Sequence, residues 1–227
     1  MDHIVELKGV TKTYHRGRER IEVLKQLDLE IETGEFAALM GPSGSGKTTL
    51  LNLIGGLDHP SAGEIHVSGQ RIERLGSRAL AKWRSNHIGF IFQFYNLMPV
   101  LTAQRNVELP LLLKKMSSKE RRDRAMTALE IVGLTDRAKH LPRELSGGQE
   151  QRVAIARAIV SDPDLLLADE PTGDLDRDTA GDILELLQTL NTRHGKTILM
   201  VTHDPAAADR AGRIVHMDKG RLLEEAA

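Results

Sequence analysis

The sequence has no cysteine among its 227 residues. It therefore offers no disulfide, no thiolate metal site and no cysteine nucleophile. Neither sign of charge is in excess, because 31 basic and 32 acidic residues leave a formal net charge of -1. A protein built to bind nucleic acid usually carries a basic surface, so we expect no nucleic-acid partner.

Long apolar stretches are also missing. No uncharged run approaches the roughly 18 residues of a membrane span. The N-terminal segment MDHIVELKGV contains acidic residues and lacks the apolar region of a signal peptide. The hydrophobic fraction of 40% and the charged fraction of 28% are ordinary for a globular protein. We therefore expect a cytoplasmic chain that meets the inner face of the membrane only through a partner.

One motif is present in full, the stretch GPSGSGKTT. The apolar segment 35–40 before it predicts a buried strand, and the segment 50–54 after it predicts a helix. Strand, glycine-rich loop and helix in this order are typical of the P-loop, whose amides and lysine bind phosphates. A flexible linker is the alternative, but both flanks favour binding of a nucleoside triphosphate. The predicted binding residues are Gly41, Pro42, Ser43, Gly44, Ser45, Gly46, Lys47, Thr48 and Thr49.

Three more apolar segments predict buried strands, at residues 88–92, 165–168 and 197–201. Polar side chains follow each of them: Gln93, then Asp169 with Glu170, then His203. Parallel α/β sheets bind their ligands at the carboxyl ends of strands.

These four residues are thus candidates for chemistry beside the P-loop. Asp169 and Thr48 are expected to contact Mg²⁺, and Glu170 is placed to polarise the attacking water. Gln93 is a candidate ligand to the metal or the water, and His203 a candidate contact of the γ-phosphate. A satisfied strand cap for Gln93 and a structural role for His203 are the alternatives.

A second glycine motif, LSGGQ, occupies residues 145–149 and precedes a helical segment at 153–160. Ser146, Gly147, Gly148 and Gln149 would form a second anion-binding nest at a helix N-terminus. The alternative is a plain serine N-cap followed by glycines. Two separated phosphate nests in one chain predict two halves of a site that meet across a dimer.

The remaining segments predict the fold. Ile4–Lys8 and Leu27–Glu32 alternate as strands of an antiparallel sheet, with Tyr14 and a charged loop, 15–22, between them. Tyr14 is either a platform for the nucleotide base or a tyrosine packed on the sheet. Residues 63–72 and 213–224 predict hairpins. Residues 101–145 predict helices, one starting with a capping box at Ser117 and Glu120. The fold expected is α/β: a P-loop core with a mixed sheet, an antiparallel β part and an inserted helical part.

The order of motifs resembles the ATP-binding subunits of ABC transporters over essentially the whole chain. In that resemblance GPSGSGKT is the Walker A motif, LSGGQ the signature, and LLLADE the Walker B motif with its catalytic glutamate. The resemblance also implies that Asp176 is the D-loop aspartate and that Tyr14 is the base-stacking aromatic. It implies one domain, 1–227, with 1–93 and 161–227 as core and antiparallel sheet and 94–160 as helical subdomain.

The segments GGLDHPSAGEI and LSGGQEQRVAIARAIVSDPDLLLADEPTGDLD resemble the lipoprotein-release, macrolide-export and cell-division branch of that family, the LolD, MacB and FtsE types. This chain has Asp174 where the branch usually has asparagine. The resemblance implies ATP and Mg²⁺ as cofactors, a homodimer that encloses ATP, and an integral membrane permease of the FtsX or MacB type.

The resemblance implies that the permease contacts an apolar cluster: Phe94, Tyr95, Leu97, Met98 and Leu101. The alternative is that these residues form the core of the helical part. An importer subunit shares all the catalytic motifs and is the main alternative function. A soluble ABC protein would carry a second ATPase unit, a coiled coil or a basic surface, and none is visible in the sequence. A GTPase is disfavoured because no NKxD-like motif is present.

Overall fold

The computed structural model describes residues 3–17 and 19–223. The described residues form ten strands and seven α-helices. The strands are β1 His3–Arg16, β2 Glu19–Glu32, β3 Phe36–Met40, β4 Ala62–Val67, β5 Gln70–Arg71, β6 Ile88–Phe92, β7 Leu165–Asp169, β8 Thr197–Thr202, β9 Arg213–Asp218 and β10 Arg221–Leu223. The helices are α1 Lys47–Ile54, α2 Ser77–His87, α3 Ala103–Glu108, α4 Ser118–Ile131, α5 Gly147–Ile159, α6 Arg177–His194 and α7 Pro205–Ala208.

The larger sheet has six strands in the order β10-β9-β3-β8-β7-β6. Strands β9, β3, β8, β7 and β6 run parallel to one another, and β10 is antiparallel to β9. The sheet is therefore mixed, as predicted. Because the parallel strands share one direction, the segments that follow β3, β6, β7 and β8 all leave from the same edge. Every predicted catalytic residue lies in one of these segments.

The smaller sheet is antiparallel, in the order β2-β1-β4-β5. The charged loop predicted at 15–22 is wrong, because β1 and β2 pair almost to the turn: Tyr14 lies opposite Ile21 and Arg16 opposite Glu19. Side chains at this end of the hairpin are exposed on both faces. They consequently lack the alternation that marked the rest of the two strands. The last predicted hairpin is confirmed, although Glu224 lies outside the described residues.

The core consists of two hydrophobic layers, one on each face of the six-stranded sheet. Alternate residues of β3 show the division: Phe36 and Ala38 face one layer, while Ala37 and Leu39 face the other. The first layer contains helices α3 to α7. The second contains α1, α2 and the antiparallel sheet. The predicted fold class is confirmed.

Helices α3, α4 and α5 form the helical part. Ser117 caps α4 as predicted, its Oγ accepting a hydrogen bond from the Glu120 amide at 3.1 Å, while the Glu120 carboxylate binds Arg124. Helix α5 packs on α3 and α4 and also on β6. The boundaries at residues 94 and 160 stay a prediction, since α5 packs both on the other helices of this part and on strand β6 of the sheet. Across the described residues, no helix combines the length and the apolar character needed to cross a membrane.

Candidate nucleotide-binding site

The P-loop connects β3 to α1 and depends on three glycines. Gly44 and Gly46 have φ of 79° and 104°, a left-handed conformation that strains other residues. Gly41 approaches the backbone of β9 so closely that an added Cβ would lie 2.0 Å from the Met217 carbonyl oxygen. The loop backbone is thus available to a ligand without intervening side chains.

Lys47, the first residue of α1, is only 6% exposed. Its Nζ donates to the carbonyl oxygens of Gly41 at 2.7 Å and Pro42 at 3.0 Å. An ammonium has three donors, so one hydrogen remains for a phosphate oxygen. Beside it, the buried Ser45 hydroxyl has no hydrogen-bond partner among the residues that the structure describes. The hydroxyl is therefore available to a ligand bound in this loop.

Thr48 and Asp169 meet across the sheet edge, with 3.1 Å between Oγ1 and Oδ1. Burial raises the pKa of Asp169, aided by the charge of Glu170 and opposed by Thr48 and Lys47. A desolvated carboxylate beside a hydroxyl fits the oxygen donors that Mg²⁺ prefers. Within the described part of the chain, no three acidic, histidine or cysteine side chains form a metal site. Phosphate oxygens would have to complete this one, as is usual for Mg²⁺ in nucleotide enzymes.

Glu170 and His203 form a pair beside this site. The Glu170 backbone is left-handed, with φ of 48°, and its amide donates to the Val201 carbonyl at 2.9 Å. The Glu170 Oε2 lies 3.0 Å from His203 Nδ1. A left-handed backbone is strained in residues other than glycine, and such strain clusters at functional sites, which is consistent with the catalytic role predicted for Glu170.

Gln93 follows β6 and contacts the segment after Glu170. Its Nε2 donates to Asp174 Oδ1 at 3.3 Å, and a Cβ on Gly173 would lie 2.9 Å from that nitrogen. Because a carboxylate only accepts hydrogen bonds, Asp174 takes the NH₂ end of the amide. The amide oxygen of Gln93 is left to bind a metal or accept from water.

The signature motif caps helix α5. Ser146 Oγ accepts from the Gln149 amide at 3.3 Å, and Gln149 Oε1 accepts from the Ser146 amide at 3.1 Å. Ser146 is therefore the N-cap of α5, and its hydroxyl still has its hydrogen to donate to a ligand. Anion binding at this helix end stays a prediction. A Cβ on Gly148 would lie 2.3 Å from Thr179 Cγ2 of helix α6.

Asp176 caps the neighbouring helix α6. Its Oδ1 accepts from the amides of Asp178 and Thr179, both at 3.1 Å, and its Oδ2 accepts from the Thr179 hydroxyl at 2.7 Å. The Thr179 hydroxyl, then the amides, lower the pKa of Asp176. Thr179 therefore contacts both motifs: its hydroxyl binds Asp176, and its methyl group packs against Gly148.

The structure thus brings together the P-loop, Gln93, Asp169, Glu170 and His203 at one sheet edge. It does not bring the signature to them. Among residues 3–17 and 19–223, no hydrogen bond or ion pair joins the signature to the P-loop.

Helix α5 connects the signature to that sheet edge through two residues that sequence analysis missed. The fully buried Gln151 donates from Nε2 to the Pro171 carbonyl at 2.5 Å and, more weakly, to the Phe92 carbonyl at 3.4 Å. Arg157 donates to the carbonyls of Tyr95 and Asn96, both at 2.6 Å. An apolar helix pattern interrupted by glutamine and arginine is the only sequence signal.

Tyr95 and Asn96 have left-handed backbones, with φ of 51° and 52°. Such conformations cost energy in residues other than glycine, and persist where the surroundings hold them. Arg157 supplies this support, and burial lowers the pKa of its guanidinium. The segment after Gln93 is therefore held in shape by the signature helix.

The apolar cluster after Gln93 divides between surface and core. Phe94 is 71% and Met98 48% exposed, whereas Leu97 packs against the helical layer of the core. Tyr95 and Leu101 are half-buried. Three more apolar side chains of the helical part are exposed: Val100, Leu112 and Leu113.

Comparison with known proteins places this architecture in a family. The family model described as ABC transporter matches residues 24–173. The lipoprotein-releasing system ATP-binding protein LolD of Chromohalobacter salexigens is 47% identical over 223 residues, which cover 98% of this chain and 94% of that protein. The macrolide export ATP-binding/permease protein MacB of Rhodopirellula baltica is 49% identical over 98% of this chain, which spans 33% of that longer protein.

A solved structure agrees with these matches. The ATP-binding cassette MJ0796 of Methanocaldococcus jannaschii, described as a dimer in a post-hydrolysis state bound to ADP and Pi, has a TM-score of 0.89. It is 48% identical in sequence, and the alignment covers 97% of both chains. The chain therefore belongs to the ABC transporter family, as one of its ATP-binding and ATP-hydrolysing subunits.

Proposed function

We propose that two copies of this chain enclose two ATP molecules, each held by the P-loop of one copy and the signature of the other. The observation that carries this proposal is the separation of the two anion nests within one chain. A two-fold symmetric dimer supplies each P-loop with a signature from the partner. The solved dimer of MJ0796 bound to ADP and Pi supports this arrangement.

In each site the P-loop amides and the free Lys47 hydrogen bind the phosphates, and Tyr14 stacks on the base. Thr48, Asp169 and Gln93 would hold Mg²⁺, which supplies charge neutralisation to the phosphates when bound. The partner's nest then adds donors from Ser146 and the glycine amides. ATP favours the closed dimer because only that state offers the γ-phosphate both nests.

Hydrolysis is assigned to Glu170 and His203, the pair of side chains beside the P-loop. Glu170 accepts the proton of the attacking water, and His203 orients that carboxylate and contacts the γ-phosphate. Loss of the γ-phosphate removes the charge that both nests share, so the dimer opens. The chemistry itself needs mainly positioning and charge stabilisation.

Glu170→Gln tests the assignment, because it keeps the shape of the side chain and removes the base. We expect ATP binding to persist and steady-state ATP hydrolysis to fall by at least about 10²-fold, the contribution of a general base. The variant should also accumulate as a dimer with ATP in analytical ultracentrifugation. Hydrolysis near the wild-type rate, or a variant that stays monomeric with ATP, would refute the proposal.

The dimer would power a separate integral membrane permease and lie against the inner face of the membrane through it. The exposed cluster of Phe94, Met98 and Val100 is the proposed contact, held in shape by Arg157. LolD and MacB type relatives favour a permease of lipoprotein release or macrolide export over a solute importer.

Co-purification from detergent-solubilised native membranes tests this part. We would compare Phe94→Asp with the matched change Leu223→Asp. Leu223 is an exposed residue of β10, the outermost strand on the side of the sheet away from β6. Phe94→Asp should lose the permease and keep basal hydrolysis, whereas Leu223→Asp should keep both. A many-span importer with a solute-binding protein would point to uptake, and equal recovery in both variants would exclude the Phe94 surface.

A further inference from the structure

A buried lysine that the proposed function does not use lies behind Tyr14. Lys12, on β1, is only 8% exposed. Its ammonium donates to Asp58 Oδ1 at 2.7 Å and to the His59 carbonyl at 2.6 Å, and lies 4.7 Å from the centroid of the Tyr14 ring. An ammonium with three hydrogens is fully satisfied by two oxygens and an aromatic face.

The other end of the tyrosine is held by the same carboxylate. The Tyr14 hydroxyl donates to Asp58 Oδ2 at 2.7 Å. Burial of Asp58 acts to raise its pKa, but hydrogen bonds from Lys12 and Tyr14 outweigh it and the pKa is lowered. Asp58 is therefore an ionised bridge between the lysine below the ring and the hydroxyl at its edge.

This arrangement fixes the ring in one orientation. Because Lys12 is buried, the ring face that it covers is turned toward the protein. Tyr14 nevertheless remains 41% exposed. The exposed area thus belongs to the rest of the ring, which is left to meet a planar ligand.

The ring also lies next to the P-loop helix. A hydrogen bond from Thr49 acts to lower the pKa of Tyr14, against the larger raising effects of burial and Asp58. Asp58 itself follows the C-terminal end of α1. The lysine, the carboxylate and the ring are therefore tied to the element that carries Lys47 and Thr48.

We propose that Lys12 is a positioning residue for nucleobase binding: with Asp58 it holds the Tyr14 ring as a rigid platform for the adenine of ATP. The proposal rests on the proposed function, in which Tyr14 stacks on the base. A ring that is already fixed loses little side-chain entropy when the base arrives, so stacking contributes more to affinity. The fixed ring therefore affects only the affinity for the base, whereas the phosphates are bound by the P-loop.

Isothermal titration calorimetry with ATP and with inorganic tripolyphosphate separates the two contributions. The variants are Lys12→Met, Tyr14→Ala and the double variant, with Lys12→Arg as the charge-retaining change. Lys8→Met is the matched control, because Lys8 is an exposed lysine on the same strand, paired with Glu6. Thermal unfolding checks that each variant is folded, and Tyr14→Phe releases the hydroxyl from Asp58 without disturbing the buried lysine.

We expect Lys12→Met to weaken ATP binding about 5- to 10-fold, within the range for loss of a stacked base, and to leave tripolyphosphate binding unchanged. Lys12→Arg should bind ATP more tightly than Lys12→Met, and Tyr14→Phe should bind ATP about 2- to 5-fold more weakly than wild type. Lys8→Met should bind ATP as tightly as wild type. In the Tyr14→Ala background Lys12→Met should weaken ATP binding no further, as expected when two residues act through one interaction.

Equal losses for ATP and tripolyphosphate would overturn the proposal, since Lys12 would then support the P-loop. Independent effects of Lys12→Met and Tyr14→Ala would overturn it too. If Tyr14→Ala keeps full ATP affinity, the stacking role in the proposed function fails. If Tyr14→Ala weakens ATP binding and neither Lys12→Met nor Tyr14→Phe does, only the role of Lys12 fails.

Discussion

Gly148→Ala tests whether the second signature glycine is needed inside the chain or only at the ligand. An added Cβ would lie 2.3 Å from Thr179 Cγ2. Carbon atoms in contact prefer about 3.5–4.0 Å, so helices α5 and α6 would have to separate by roughly 1.2 Å at this point. Overpacking of this kind costs about 1–3 kcal/mol, and the better helix propensity of alanine returns at most about 1 kcal/mol.

The clash comes from one methyl group, which makes the matched rescue simple. Thr179→Ser removes Cγ2 and keeps the hydroxyl that binds Asp176. The next atoms of residue 179 lie 3.8 and 4.0 Å from the added Cβ, an ordinary contact. The double variant Gly148→Ala with Thr179→Ser should therefore fold with nearly wild-type stability.

Thermal unfolding measures the effect. For a domain of this size about 1 kcal/mol shifts Tm by roughly 2–4 °C. Taking a net loss of about 1–2 kcal/mol, the middle of the range left after the propensity gain, Gly148→Ala should lower Tm by about 2–8 °C, and the double variant should recover it. An unchanged Tm in Gly148→Ala, or no recovery in the double variant, would refute the packing argument. The same two substitutions in the Glu170→Gln background then show whether Gly148 is also needed where ATP held by the partner is bound. If the protein regains its stability but no longer dimerises with ATP, the glycine is needed at the ligand as well.

Three other changes test side-chain contacts in helix α5 and in the antiparallel sheet. Arg157→Met removes two hydrogen bonds to backbone carbonyls, so we expect a loss of about 2–3 kcal/mol in urea unfolding and faster amide hydrogen exchange near Asn96. Gln151→Leu should cost about 1–2 kcal/mol in the same assay and lower ATPase activity, because two site carbonyls lose their donor. Burial acts to raise the pKa of Glu73, but Arg71 and backbone amides lower it below 4.5 overall. Since its folded pKa is depressed, the charge stabilises the fold above pH 4.5. The advantage of wild type over Glu73→Gln, about 1 kcal/mol at pH 7, should disappear in urea unfolding as pH falls below 4.5.

Sequence alone determined the elements whose chemistry is contiguous. The P-loop residues act through their own backbone and through the strand and helix that flank them, so a nine-residue pattern contains both the chemistry and its setting. Asp169, Glu170 and His203 were found for a related reason: parallel buried strands share one edge, so polar residues at their ends meet. The apolar runs that mark those strands do not depend on distant residues.

Only the tertiary structure decided which distant side chains support these motifs. Lys12 and Asp58 are 46 positions apart, and Arg157 reaches the Tyr95 carbonyl across 62. A buried lysine on an alternating strand looks like any exposed lysine until its partners are placed. The hairpin near Tyr14 was missed because both of its faces are exposed, and hydrophobic patterning reports burial rather than backbone pairing. Burial and hydrogen bonds between residues distant in sequence arise only in the packed fold. They determine which residues hold the site in shape.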